Sequence, residues 1–266
     1  MRNIYLILIG LLVLTVNCSE EFTDVDPIGS LNDAQLANPT GVELLLTGAY
    51  SVLDAGRNGG IGNYWGRSAD NWVADVASDD AHKGSTDGDQ PDLYELELFN
   101  WQTGNGYFMA RWEVLYAGVN RSNAVINLIA NSETPANFIV EEAQAKFLRG
   151  HYNFELKKHF DNVPNITEVN ASELNYNVAN AGATQLTWAN IEADFTFAKD
   201  NLPASRAGGY AVGRPIASTA QAFLGKAQLF QGKWAEASAN LETVIGTGIY
   251  DLHPNLVDNF RSGTEN

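Results

Sequence analysis

The chain has 266 residues, 45% of them hydrophobic and only 18% charged, which is the composition of a globular protein and not of a disordered one. Its formal net charge is −16 and its pI is near 4.5, so it should repel nucleic acid and anionic lipid. No basic cluster offsets that charge, which favours neutral or cationic partners.

Residues 1–17 have the parts of an export signal. Arg2 is followed by an apolar run over residues 4–16, which is too short for a bilayer core that needs about 20 apolar residues. We therefore predict a signal peptide that is cleaved. Cys18 comes next, and as the one cysteine of the chain it cannot form an internal disulfide, so we predict that it carries lipid. An ordinary secretory signal followed by a chance cysteine is the alternative.

The remaining chain is predicted to contain a polar, lipidated lead-in over residues 18–40 and one helical domain over residues 41–266. Thr40 and Glu43 fit a capping box, so the first helix is expected to use Thr40 as its N-cap. Between residues 55 and 106 the helical periodicity disappears, except for a short helix expected around residues 66–77. Long irregular stretches inside compact proteins are often functional, and the aromatic density here argues against disorder.

Helical periodicity returns after this stretch. Apolar residues at three- and four-residue spacing predict helices over residues 108–129, 138–160, 188–202, 218–231 and 233–246. Residues 165–186 are polar and are expected to form a connector. The predicted fold class is therefore all-α.

The last two predicted helices match part of the tetratricopeptide pattern, L-G-x2-Y followed by A-x3-F. Small side chains at Gly225 and Ala237 would let two antiparallel helices approach closely. An earlier echo places phenylalanines at matching positions: Phe147 and Phe154, then Phe223 and Phe230. We predict at least two tetratricopeptide-like helical hairpins joined by long irregular loops; a generic helical bundle is the alternative.

Several motifs in fixed order resemble one protein family. They are Cys18-Ser19-Glu20-Glu21-Phe22, Asp26-Pro27, Leu45-Leu46-Thr47-Gly48-Ala49-Tyr50, Ser78-Asp79-Asp80, Trp112-Glu113-Val114-Leu115-Tyr116, Asn120-Arg121-Ser122-Asn123, residues 142–152, Phe160-Asp161-Asn162-Val163-Pro164, Gly213-Arg214-Pro215, residues 222–237 and Tyr250-Asp251-Leu252. Taken together, they resemble the SusD/RagB family of nutrient-uptake outer-membrane lipoproteins over nearly the whole chain.

The resemblance implies a lipoprotein on the outer face of the outer membrane of Bacteroidota-type bacteria. Such a protein would bind nutrient glycans, without turnover, and pass them to a SusC-like TonB-dependent transporter. The family has a further C-terminal half after the Tyr-Asp-Leu region, whereas this sequence ends at Asn266, so we expect a truncated reading frame. Two alternatives stay open: a secreted glycan hydrolase, and a helical-repeat protein that binds peptides or other proteins.

The irregular stretch offers a candidate ligand site. A sugar has an apolar C–H face that stacks on aromatic rings and a rim of hydroxyls that form hydrogen bonds with carboxylates and amides. Ligand sites in general combine an apolar lining with a few polar groups. The predicted ligand-binding residues are Trp65, Trp72, Asp79, Asp80, Tyr94, Asn100 and Trp101, with Tyr64, Asp75, Gln102 and Tyr107 beside them. Packing in the core is the alternative for each aromatic residue. Three further tryptophans, Trp112, Trp188 and Trp234, are expected to be scaffold on apolar helix faces.

No metal, cofactor or catalytic group is predicted. Asp87, Asp89 and Asp92 form an acidic loop that lacks the spacing of an EF-hand, so we expect a solvated turn. His151 and Glu155 lie one helical turn apart and are interpreted as a helix pair, not as an acid–base site. The chain has no HExxH, GxSxG, P-loop or GxGxxG motif.

Overall fold

The computed structural model describes residues 36–54, 75–86, 88–172 and 176–261. The predicted signal peptide, Cys18, most of the lead-in, Tyr64, Trp65, Trp72, Asp87 and most of the helix expected at residues 66–77 lie outside the described residues. The chain divides after Leu36, and the second unit, Ala37–Asn266, contains the helices considered below.

The described residues form eight α-helices. Their bounds are α1 Pro39–Tyr50, α2 Pro91–Glu97, α3 Gly106–Ala130, α4 Ile139–Phe160, α5 Glu168–Ser172, α6 Trp188–Asn201, α7 Ala217–Phe230 and α8 Trp234–Gly246. Within the same residues no strand forms, and a single antiparallel bridge joins Pro164 to Gln185. The all-α prediction is confirmed. No helix in the described part of the chain combines the length and apolarity needed to cross a membrane.

The start of α1 differs from the predicted capping box at Thr40. The N-cap is Asn38, whose Oδ1 accepts hydrogen bonds from the backbone N–H groups of Thr40 and Gly41 at 3.0 and 3.1 Å. Pro39 then occupies the first helical position, where its fixed φ suits the helix and its missing N–H removes no bond. Glu43 pairs with Arg214 instead of turning back to the cap. The helix therefore begins earlier than the sequence pattern indicated.

A short helix, α2, interrupts the stretch that was predicted to be irregular. It has seven residues, starts with Pro91 and has no side-chain cap at Gln90. Leu93 and Leu96 bury its inner face in a small core with Val76 and Tyr107. Tertiary packing therefore stabilises this helix, since helices of this length are marginal by themselves in water. The connector at residues 165–186 likewise contains a short helix, α5.

The central helices α3 and α4 pack closely because of one glycine. A Cβ atom built on Gly118 of α3 would lie 2.5 Å from the Tyr152 ring of α4, so only glycine fits there. Tyr152 is 2% exposed, and its hydroxyl donates to the carbonyl of Ala49 in α1 at 2.8 Å. Tyr152 thus joins three helices that are distant in sequence.

The repeated phenylalanines contact one another directly. Phe147 of α4 packs edge-on against Phe223 of α7 at 5.1 Å, and Phe154 packs in the same way against Phe230 at 5.1 Å. Because both pairs follow the same order along the chain, α4 and α7 run parallel, as equivalent helices of successive repeats do. Between α7 and α8, a Cβ on Gly225 would lie 3.0 Å from Leu241, which confirms the close approach expected there. The tetratricopeptide-like hairpins are confirmed.

Large apolar side chains are exposed on the last helices and the segment after them. Trp234 is 68% exposed, so its assignment to the apolar scaffold was wrong. The other strongly exposed side chains in this region are Phe230, Ile245, Leu252, Leu256, Val257 and Phe260.

Candidate functional site

The turn after α2 exposes aromatic rings, and we call Phe99, Trp101 and Phe108 the aromatic strip. Phe99 is 66% exposed and Trp101 is 44% exposed. Their ring centroids lie 5.8 Å apart, and Trp101 meets Phe108 edge-on at 6.3 Å. Phe99 has a φ of 55°, which is uncommon for a bulky residue and turns the chain sharply at the end of α2. Its ring is held outward by that turn.

The aromatic strip has a firm base. Phe108 is partly buried and packs on the small core formed by Val76, Leu93, Leu96 and Tyr107. The turn itself is closed by backbone bonds, from Phe99 N–H to Leu96 and from Asn100 N–H to Glu95, at 3.1 and 2.9 Å. The exposed rings are therefore fixed from one side and open to solvent on the other.

The polar candidates in this region differ in what they contact. Asn100 is exposed beside Trp101, and Asp79 and Asp80 are exposed in a turn over residues 77–80. The segment that follows this turn is joined to α2, because Glu97 accepts the Lys83 N–H at 2.9 Å and contacts His82 Nδ1 at 2.8 Å.

Two of the predicted aromatic residues are less available to a ligand. Tyr94 is half-buried, and the Lys83 ammonium lies 5.4 Å from the centre of its ring. Tyr107 is 3% exposed and donates its hydroxyl to Gln90 at 3.0 Å, so its place in the candidate site was wrong. Of the predicted residues that the structure describes, Asn100 and Trp101 are the ones it brings together with exposed aromatic rings.

A second feature, which we call the aromatic cleft, lies along α3. Its volume is about 420 Å³, within the range of small-molecule sites. The lining residues are Trp112, Glu113, Tyr116, Ala117, Asn120, Pro164, Ile166 and Tyr176. The α3 members recur at helical spacing on one face, and the others come from the connector that follows α4.

The walls of the aromatic cleft are held by defined contacts. Trp112 lies 4.7 Å from Tyr116 and meets Phe160 edge-on at 5.2 Å, measured between ring centroids. The Tyr116 hydroxyl donates to the Pro164 carbonyl at 2.8 Å, and burial raises its pKa, so it stays protonated. Asn123 donates to the Ile166 carbonyl at 2.9 Å. The connector is thereby fastened to α3 at two points.

The comparisons with known proteins decide the family. A SusD-like family model, described as "starch-binding associating with outer membrane", matches residues 31–229. The chain belongs to the SusD-like family. SusD-like protein P2 of Formosa agariphila is 24% identical over 249 residues, which cover 92% of this chain and 46% of that protein.

Solved structures share the fold of this SusD-like chain. Surface glycan-binding protein A from Bacteroides fluxus matches with a TM-score of 0.67 and 23% identity, over 86% of this chain and 48% of that one. A laminarin-binding SusD-like protein matches with a TM-score of 0.61 and 24% identity, over 79% and 44%. The SusD-like chain therefore spans about half the length of the relatives that it matches.

Sequence reasoning missed the aromatic cleft of this SusD-like chain, because Trp112 was assigned to the scaffold. Trp112 does pack on Phe160, yet it also lines the open cleft. A signal was present: Trp112, Tyr116 and Asn120 repeat at four-residue spacing, in a row beside the buried Leu115 and Val119. The sequence could not show that the connector would leave space above that face.

Three other polar residues that the sequence singled out, Asp92, His151 and Glu155, have structural contacts. Asp92, expected in a solvated turn, accepts the Gly106 N–H at 2.7 Å and so helps to begin α3. His151 lies against the rings of Tyr152 and Phe223, and Glu155 pairs with Arg111 and Lys158. Among the described residues, no group of three or more His, Cys, Asp or Glu side chains has an arrangement that could hold a metal ion.

Proposed function

We propose that this protein binds oligosaccharides at the outer surface of the cell and passes them to a SusC-like TonB-dependent transporter without cleaving them. A lipid on Cys18 would anchor it in the outer membrane, facing the exterior. Membership of a family described as starch-binding supports this, and a structural neighbour is named for binding laminarin. The observation that carries the proposal is the aromatic strip, in which exposed rings stand beside the amide of Asn100.

The geometry of the aromatic strip suits a sugar ring. The C–H face of a pyranose would cover Trp101, and the Asn100 amide can both donate to and accept from the hydroxyls at the ring edge. Because the rings are already held by the core, binding would cost little rotamer entropy. The aromatic neighbours of Trp101, Phe99 and Phe108, are both uncharged, which agrees with a neutral ligand.

The expected contribution of Trp101 follows from its exposure. A tryptophan side chain buries up to about 250 Å² in a protein, so its 44% exposed part is roughly 100 Å². A sugar that covered half of this surface would contribute about 1.3 kcal/mol at ~25 cal/mol per Å². That energy corresponds to an affinity change of about tenfold.

Affinity electrophoresis of the purified protein in gels that contain starch or laminarin tests the proposal. Trp101→Ala should lower the affinity calculated from retention about tenfold, and Phe99→Ala should also lower that affinity. Trp234→Ala is the matched control, because Trp234 is also strongly exposed but lies on α8. Equal retention of the Trp101 and Trp234 variants would refute the strip as a binding site.

The other parts of the proposal have separate tests. Reducing-end release from the retained polysaccharide would show a hydrolase, and competition by a casein digest would show a peptide binder.

Cys18→Ser should release the protein from the outer-membrane fraction of cells, and mass spectrometry of the wild-type protein should find acyl chains on Cys18. An unacylated thiol in material from intact cells would contradict the anchor.

A further inference from the structure

The aromatic strip and the aromatic cleft share one helix. Phe108 forms the base of the strip, Trp112 and Tyr116 form the wall of the cleft, and Asn120 stands at its edge. These four residues follow one another at intervals of four positions along α3. Residues four apart are neighbours on a helix surface, and each such step drifts by about 40° around the axis. The two features therefore lie along one row of side chains on α3.

We propose that the aromatic cleft is a second binding subsite and that α3 places it in line with the aromatic strip, so that one linear oligosaccharide contacts both. This rests on the proposed function of glycan binding. From Phe108 to Asn120 the helix rises about 18 Å. A monosaccharide or disaccharide is too short to cover that distance together with the strip, whereas a longer chain can. The substrate class is therefore an extended neutral oligosaccharide.

The chemistry of the cleft agrees with a sugar ring. Trp112 and Tyr116 offer a mostly apolar wall, and the exposed Glu113 carboxylate offers an acceptor for hydroxyl groups. Tyr176 donates its hydroxyl to Asn120 Oδ1 at 3.2 Å, which leaves the amide N–H₂ of Asn120 as a donor toward a ligand. Among the described lining residues none is cationic, so uronate and sulfated sugars would not be favoured there.

Ala117 makes the cleft testable without removing a contact. It lines the cleft together with the aromatic wall and Asn120, and its side chain is small. Ala117→Leu adds volume at the floor while Trp112 keeps its contact with Phe160. Ala130→Leu is the matched control, because Ala130 is an exposed alanine at the end of the same helix. Trp112→Ala serves as a second variant that removes the wall.

Isothermal titration calorimetry of the full protein with two probe series tests the proposal: maltose to maltoheptaose, and laminaribiose to laminarihexaose. In the wild type and in Ala130→Leu, affinity should rise with chain length in the series that binds. Ala117→Leu and Trp112→Ala should lose that rise, about tenfold for the longest probe, while binding of the shortest probe stays unchanged. Circular dichroism and the thermal midpoint identify any variant that fails to fold.

The outcomes separate the two proposals. If Trp101→Ala weakens every probe but Ala117→Leu keeps the full length-dependent rise, the cleft subsite is wrong and glycan binding stands. If Ala117→Leu weakens short and long probes equally, the in-line arrangement is wrong. If no probe of either series binds the wild type, both proposals are overturned together.

Discussion

Replacing Arg149 with Met should destabilise the fold strongly, because this side chain holds a buried carboxylate. Arg149 of α4 forms two parallel bonds to Asp194 of α6, Nε to Oδ2 at 2.8 Å and Nη2 to Oδ1 at 2.7 Å. The two side chains are 13% and 8% exposed. Nη1 also donates to Asn123 of α3 at 3.0 Å and to Glu168 of α5 at 2.5 Å. One guanidinium therefore links four helices.

The magnitude follows from what the substitution leaves behind. Removing one partner of a buried ion pair costs about 3–5 kcal/mol, because the other charge stays buried without compensation. A domain of ordinary stability has about 5–15 kcal/mol in total, so roughly a fifth or more would be lost. Lys199→Met is the control, since its partner Asp200 is 54% exposed and such surface pairs contribute about 0–1 kcal/mol.

The pH dependence gives a second readout. Burial alone would raise the pKa of Glu168, but the charge of Arg149 and hydrogen bonds from the backbone and Arg149 hold it below its ordinary value of 4.5. A carboxylate with a lowered folded pKa adds stability above its unfolded pKa, and this stability is lost as the pH falls through the folded pKa. The wild type should lose stability below about pH 4.5, and Arg149→Met should lose less over the same range.

Urea unfolding followed by circular dichroism measures both effects. The double variant Arg149→Met with Asp194→Leu should recover much of the loss, because an apolar pair can replace a buried ion pair at little cost. The reasoning would be refuted if Arg149→Met lowered the free energy of unfolding no more than Lys199→Met does. It would also be refuted if Asp194→Leu further destabilised the Arg149→Met variant instead of offsetting its loss.

Two other changes have directions set by packing. Gly118→Ala should lower the free energy of unfolding in urea by about 1–3 kcal/mol, because its Cβ would overlap the Tyr152 ring. Gly48→Ala, which has no atom within 4 Å of its Cβ, should instead raise it by about 0.5–1 kcal/mol. Equal effects of the two substitutions would contradict this reasoning. Ile245→Lys with Leu252→Lys, at side chains 75% and 87% exposed, should reduce self-association in light scattering without lowering the thermal midpoint, whereas a lower midpoint would show that these side chains are packed.

The long helices could be predicted from the sequence because periodicity alone defines them. The helix expected at residues 138–160 and α4 share the end at Phe160, and α6 starts at the predicted Trp188. The errors arose where two local signals compete. Asn38 and Thr40 are both good N-cap residues, and Pro39 between them favours the earlier start. In α2, seven residues are too few for periodicity to show, and its stability comes from contacts with Val76 and Tyr107.

The candidate site was less predictable because burial depends on partners that are distant in sequence. Trp101 and Tyr107 lie six positions apart in the same aromatic stretch, yet the first is 44% exposed and the second 3% exposed. Tyr107 enters the small core because it lies in the first turn of α3, whereas Trp101 belongs to the turn that precedes this helix. Neither residue type nor spacing distinguishes them. The cleft likewise depends on where the connector places Tyr176.

One-sided packing separates the aromatic residues that hold the fold from those that could hold a ligand. Phe147, Phe195 and Phe223 form a cluster of three rings from three helices, with centroids 5.1–5.8 Å apart, and each ring has neighbours on several sides. Trp101 also has two ring neighbours at similar distances, yet much of its surface is open. The number of aromatic contacts therefore does not identify a binding residue. A ring that the core fixes from one side keeps its orientation and still offers a face to a sugar, which is the arrangement that the strip and the cleft share.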